Sequence, residues 1–80
     1  MFELRAVPVP PGSARPYDED EWRDALVVVQ RGEVELESLH GSRHHFECGD
    51  VLWLVGLPLR ALHNRGAEPV VLLALARRPG

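Results

Sequence analysis

Lysine, isoleucine and threonine are missing from this 80-residue chain, and cysteine occurs once, at Cys48. A lone thiol excludes an internal disulfide and suits a reducing compartment. The first residues, MFELRAVPVPPG, lack the charged start and long apolar run of a secretory leader, so a cytoplasmic location is expected. Long hydrophobic runs are also absent. The longest, residues 70–76, falls far short of the roughly 20 residues that a spanning helix needs, as does 51–54, so no membrane span is expected. Positive charge is not in excess either: the net charge is −3 and every basic residue is Arg. A sequence-independent grip on a phosphate backbone requires clustered positive charge, so nucleic acid is not an expected partner. The all-Arg bias carries no functional reading.

Catalytic signatures are equally sparse. Ser13, Ser38 and Ser42 have no strand-turn-helix context, and Cys48 stands in a turn with no base partner in the sequence. Gly12, Gly32 and Gly49 each stand alone between apolar segments, whereas a phosphate cradle needs several glycines opening a helix.

What the chain does contain is enough apolar content to fold. It is 45% apolar and 26% charged, with the two signs mixed, which separates it from disordered tails. Its length accommodates one core, and a single domain over residues 1–80 is expected. A core of this size supplies only roughly 3–5 kcal/mol, and small domains commonly recruit a metal, a disulfide or a second subunit.

Residues 33–37, Glu-Val-Glu-Leu-Glu, alternate charged and apolar without a break, the pattern of a strand with one wet and one buried face. Further strands are expected at 2–7, 25–30, 43–47, 51–55, 59–63 and 70–77. Turn formers separate them at 10–12, 31–32, 40–42, 48–50, 56–58 and 64–66. No segment carries a sustained helical period. Short strands at this spacing specify an all-β sandwich or barrel. Three of the strands, 26–29, 51–55 and 70–75, are apolar on both faces. One face fills the interior, and the other needs cover that a two-layer domain of this length does not supply. A homodimer is the expected cover.

Spacing carries a family resemblance. From Gly12, five residues lead to Asp18 and Asp20, then Ala25, then Gly32; from Gly49, five residues lead to Val55 and Leu57, then Arg60, then Asn64. These frames resemble the two motifs of the cupin family, in which the corresponding positions are His-x-His, Glu and Gly, and then Pro-x-Gly, His and Asn. The turns at 31–36, 48–51 and 63–69 are similar to cupin turns, and the resemblance runs from Pro10 to Ala76. It implies a cupin-type jelly-roll barrel, the double-stranded β-helix. The family includes dioxygenases, isomerases, decarboxylases and sugar-binding regulators, so the resemblance leaves the activity open.

The four metal-ligand positions of the family are held here by Asp18, Asp20, Ala25 and Arg60. A guanidinium has no acceptor and stays protonated, so no metal and no cofactor is expected. If Arg60 points inward as the family's histidine does, its charge needs a partner, and an ion pair with Asp18 or Asp20 is expected in place of the metal; the alternative for residues 18–21 is a solvated acidic loop. The glycines and Asn64 are read as turn formers, with the Asn64 amide folded onto the backbone of its own turn. His44 and His45, adjacent on a strand, face opposite ways. His63 has the opposite parity from Arg60 and is expected to face away from the interior.

The leading functional expectation is a metal-free small cupin acting as a small-molecule binding or structural module, with a small anionic ligand such as a carboxylate met by Arg60. Asp18, Asp20, Tyr17, His63 and Trp53 complete the candidate ligand-binding set, and no residue is assigned a catalytic role. Two alternatives remain: a metal-independent acid–base enzyme, isomerase-like, with Tyr17, His63, Asp18 or Asp20 carrying protons, and a sensory subunit acting in trans.

Overall fold

The computed structural model describes residues 1–54 and 56–77. Eight strands run in the order β1 Phe2–Val9, β2 Ala14–Pro16, β3 Ala25–Arg31, β4 Glu33–Ser38, β5 Arg43–Glu47, β6 Val51–Trp53, β7 Leu59–His63 and β8 Val70–Arg77. Among the described residues there is no helix. Two four-stranded sheets face each other. Sheet A has the order β1-β8-β3-β6 and sheet B the order β2-β7-β4-β5, with every pairing antiparallel.

Period-2 patterning decides what lies between them. Val27 and Val29, Leu52 and Leu54, and Val70, Leu72 and Ala74 point inward from sheet A; Val34, Leu36 and Leu62 meet them from sheet B. Val7, Val9 and the indole of Trp22, only 1% exposed, close the core. Arg5 lies over that indole, its Cζ 5.9 Å from the ring centroid.

Seven strands fall where the periodicity places them; the 51–55 segment ends as a strand at Trp53, and Val55 lies outside the described residues. β2 has no counterpart in the sequence reading. It has three residues, contains Pro16 and pairs only with β7, and an edge strand tolerates a residue without N–H.

The turn between β3 and β4 leaves no room for a side chain. Gly32 has φ +79°, and a Cβ there would stand 2.8 Å from the Pro69 carbonyl oxygen. Asn64, 1% exposed, ties three segments together. Its Nδ2 donates to the carbonyls of Val9 at 2.9 Å and Glu68 at 2.7 Å, and its Oδ1 accepts from the Gly66 N–H at 2.9 Å. The amide does fold onto its own turn, and it also reaches the end of β1.

Candidate functional site

The sandwich is open where the β4–β5 hairpin meets the segment before β7. A cavity of about 410 Å³ lies there, lined by Leu36, Ser38, His40, Ser42, His44, Phe46, Leu57, Pro58 and Leu59. Strand parity explains the lining. Leu36 pairs with His44 and Val34 with Phe46, so these side chains share the inner face of β4–β5. His45, on the other face, lies 3.7 Å from Glu33, so the adjacent histidines face opposite ways as expected. The Ser38 hydroxyl accepts from the N–H groups of His40 at 3.2 Å and Ser42 at 3.0 Å, which fixes the hairpin turn.

Arg60 has no part in this cavity. Between the pairs Glu37–Ala61 and Ser38–Leu59 the ladder takes up one extra residue on β7, and that residue is Arg60. A bulge re-aims the side chain it carries. Leu59 is 9% exposed at the edge of the core, while the Arg60 side chain is 58% exposed. Its guanidinium donates to the Leu39 carbonyl at 3.3 Å and stands 3.8 Å from Glu37.

The expected inward ion pair with Asp18 or Asp20 is therefore corrected. Asp18 accepts from the Asp20 N–H at 3.0 Å, and Asp20 pairs with Arg23 at 2.6 Å on the surface. Residues 18–21 form an exposed turn in which only Glu21 is drawn inward, paired with Arg15 and accepting from Arg5 through its carbonyl. Trp53 is also misplaced by the sequence reading: it is 56% exposed on the outer face of sheet A, away from the cavity. Tyr17 is half-buried against the core, its N–H bonded to the Arg60 carbonyl at 2.9 Å. Burial, reinforced by the charges of Glu19 and Asp18, raises its phenol above the ordinary value, which keeps it protonated at neutral pH.

His63 faces outward, as its parity requires. On the outer face of sheet B its Nε2 stands 2.8 Å from Glu37 Oε1. Beside it Glu35 accepts from Arg43 at 2.6 Å and lies 3.2 Å from Arg65. The hydrogen bond from His63 holds the Glu37 carboxyl below its ordinary value, and the hydrogen bond from Arg43 does the same for Glu35. These ion pairs are satisfied among themselves. The six expected ligand-binding residues thus do not converge: Arg60 and His63 share Glu37, Asp18 and Asp20 share a loop, and Trp53 lies on the opposite sheet. The cavity residues Ser38, His40, His44, Phe46 and Leu57 were missed, although the inner-face parity of 44 and 46 opposite Leu36 was readable once the 33–47 hairpin was set.

The family's metal does not fit the corresponding positions. Ala25 has no donor atom, Arg60 offers only N–H groups at the surface, and the two aspartates are engaged in their own turn. Among the described residues no three of His, Cys, Asp and Glu are grouped to hold a metal ion.

No family model and no curated protein sequence matches the chain. Solved structures do. A cupin 2 conserved barrel domain protein from Salinispora arenicola superposes with a TM-score of 0.71 at 28% identity, over 92% of this chain and 60% of that one. The Cupin_2 domain of an XRE family transcriptional regulator from Enterobacter cloacae superposes with a TM-score of 0.66 at 21% identity, over 99% of this chain and 83% of that one. The chain has the fold of a cupin barrel. It spans three-fifths of the length of the Salinispora protein.

Proposed function

We propose that this cupin barrel is a binding module that takes a compact, largely apolar molecule with one hydrogen-bonding group at its open end. The observation that carries the reading is the cavity of about 410 Å³ between the β4–β5 hairpin and residues 57–59. Its volume lies in the range of ligand sites, roughly 300–1,000 Å³, and its composition follows their rule of apolar walls with few polar groups. Leu36, Phe46, Leu57, Pro58 and Leu59 supply the walls. Ser38 accepts two backbone hydrogen bonds and keeps its own O–H proton for a guest, while His40 and His44 each offer a ring donor or acceptor. Among the described residues no Asp, Glu or Arg lines the cavity, so the guest is neutral there, and the carboxylate recognition expected of Arg60 gives way to apolar recognition.

A panel of phenol, indole, cyclohexanol and benzoate, titrated against ¹⁵N-labelled protein, tests this. At least one of the neutral three should bind more tightly than benzoate and shift the amides of Ser38, Ser42, His44, Phe46 and Leu57. Ser42→Trp, which fills the cavity, should abolish those shifts. Preference for benzoate, shifts clustered around Arg60 and Glu37, or binding that survives Ser42→Trp would refute the proposal.

A further inference from the structure

The middle of the outer face of sheet A is apolar from one edge strand to the other. Cross-strand registers set Leu4 beside Leu75, Leu75 beside Leu26, and Leu26 beside Trp53, so one row of four large apolar side chains crosses all four strands. The next row is Ala6, Leu73, Val28 and Val51; beyond it lie Pro8, Val71 and Arg31, and at the other end of the face Phe2 stands beside Arg77. Exposures are high for a strand face: Leu4 64%, Phe2 67%, Val51 59%, Trp53 56%, Leu75 39% and Leu26 38%. Within the two long rows there is no charged side chain. The outer face of sheet B is the reverse, a field of Glu33, Glu35, Glu37, Arg43, His45 and His63.

From this we infer that the outer face of sheet A is the interface of a homodimer, two copies of the chain packing these faces together about a two-fold axis. Area supports it. With ordinary side-chain surfaces, the exposed apolar groups present roughly 600–800 Å², above what a monomer commonly leaves in one patch and close to the roughly 800 Å² per partner of a standard interface. Charge selects the occupant. A two-fold contact centred on the two long rows sets apolar side chains against the same rows of the copy, with Arg31 and Arg77 only at the ends of the face, whereas a charged partner would find no complement within those rows. Sheets pack face to face at about 10 Å, a separation that side chains of Leu and Trp size fill from both sides. The described residues do not supply the cover: with residues 1–54 and 56–77 in place, Leu4, Val51 and Trp53 are each still more than half exposed.

Size-exclusion chromatography with light scattering, followed by sedimentation equilibrium across a concentration series, tests the inference. The wild-type chain should run as a dimer at tens of micromolar, with Trp53 emission shifting to the red as dilution separates the copies. Trp53→Glu and Leu75→Glu should each weaken the dimer at least about 100-fold, since central aromatic and aliphatic anchors dominate such interfaces. Circular dichroism should show both variants folded. Glu35→Gln, on the opposite sheet, should leave the dimer intact. A wild-type monomer at 50 μM, a dimer indifferent to both glutamates, or an open-ended oligomer would each overturn the inference. Neither variant touches the ligand cavity, so this outcome is independent of the binding reading.

Discussion

Replacing Asn64 by alanine is expected to remove about half of this domain's stability or more. The side chain is 1% exposed and makes three hydrogen bonds, to the Val9 carbonyl, the Glu68 carbonyl and the Gly66 N–H. Of these, the Val9 carbonyl is buried, and leaving it without a donor costs about 1–3 kcal/mol. The other two lie nearer solvent, where water replaces the amide, and their loss costs about 0.5–1.5 kcal/mol each. The total is about 2–6 kcal/mol, against roughly 4–12 kcal/mol for an 80-residue domain. With a urea slope of about 1 kcal/mol per molar, the unfolding midpoint should fall by about 2 M or more at fixed protein concentration. Asn64→Asp sharpens the test. It keeps the oxygen that accepts from Gly66 but turns a second oxygen toward two carbonyls, so it should be at least as unstable as the alanine variant at pH 7. That carboxyl is favoured in its protonated form in the folded state, which raises its folded pKa. Its deficit relative to wild type should therefore shrink below the unfolded Asp value of about 3.9, where the O–H can donate to one carbonyl, and grow as pH rises. A midpoint within 0.5 M of wild type for the alanine variant would refute the reasoning.

Two further predictions rest on the same geometry. Gly32→Ala forces an L-residue into φ +79° and brings a Cβ to 2.8 Å from the Pro69 oxygen; a loss of about 2 kcal/mol or more is expected in the same urea assay. Glu35 and Glu37 titrate below their ordinary value of 4.5 in the folded chain, so their contribution is present above pH 4.5 and lost as pH falls through the lowered values. The Glu35→Gln/Glu37→Gln variant should lose less stability than wild type between pH 4.5 and 3, and 1 M NaCl should narrow the difference; parallel pH curves would show that these carboxylates do not couple to folding.

The strands that carry an unbroken alternation, 33–37 above all, were legible because period 2 is a local property that needs no knowledge of neighbours. The two-sided apolar strands were legible for the same reason. Both faces of 26–29 read as apolar, and Val27 and Val29 do point in while Leu26 and Val28 point out. β2 was not legible, because three residues with a proline have neither length nor period and are held as a strand only by β7. Arg60 marks the sharper limit. Its position in the motif, where the family has an inward histidine, placed it inside, and one extra residue in the β4–β7 ladder sent it out to Glu37. The ion pair between Glu37 and His63, 26 residues apart, likewise depends on which strands became neighbours.

By itself, then, the sequence determined the all-β class, the strand and turn positions, and the apolar surplus on both sides of three strands. All of these follow from side-chain polarity and backbone freedom over a few consecutive residues. Only the tertiary structure decided where the bulge fell, which charges became partners, and that the open end is walled by Leu36, Phe46 and Leu57 rather than by the motif positions. Strand register is a long-range quantity, and a slip of one residue sends a side chain to the opposite face of the sheet.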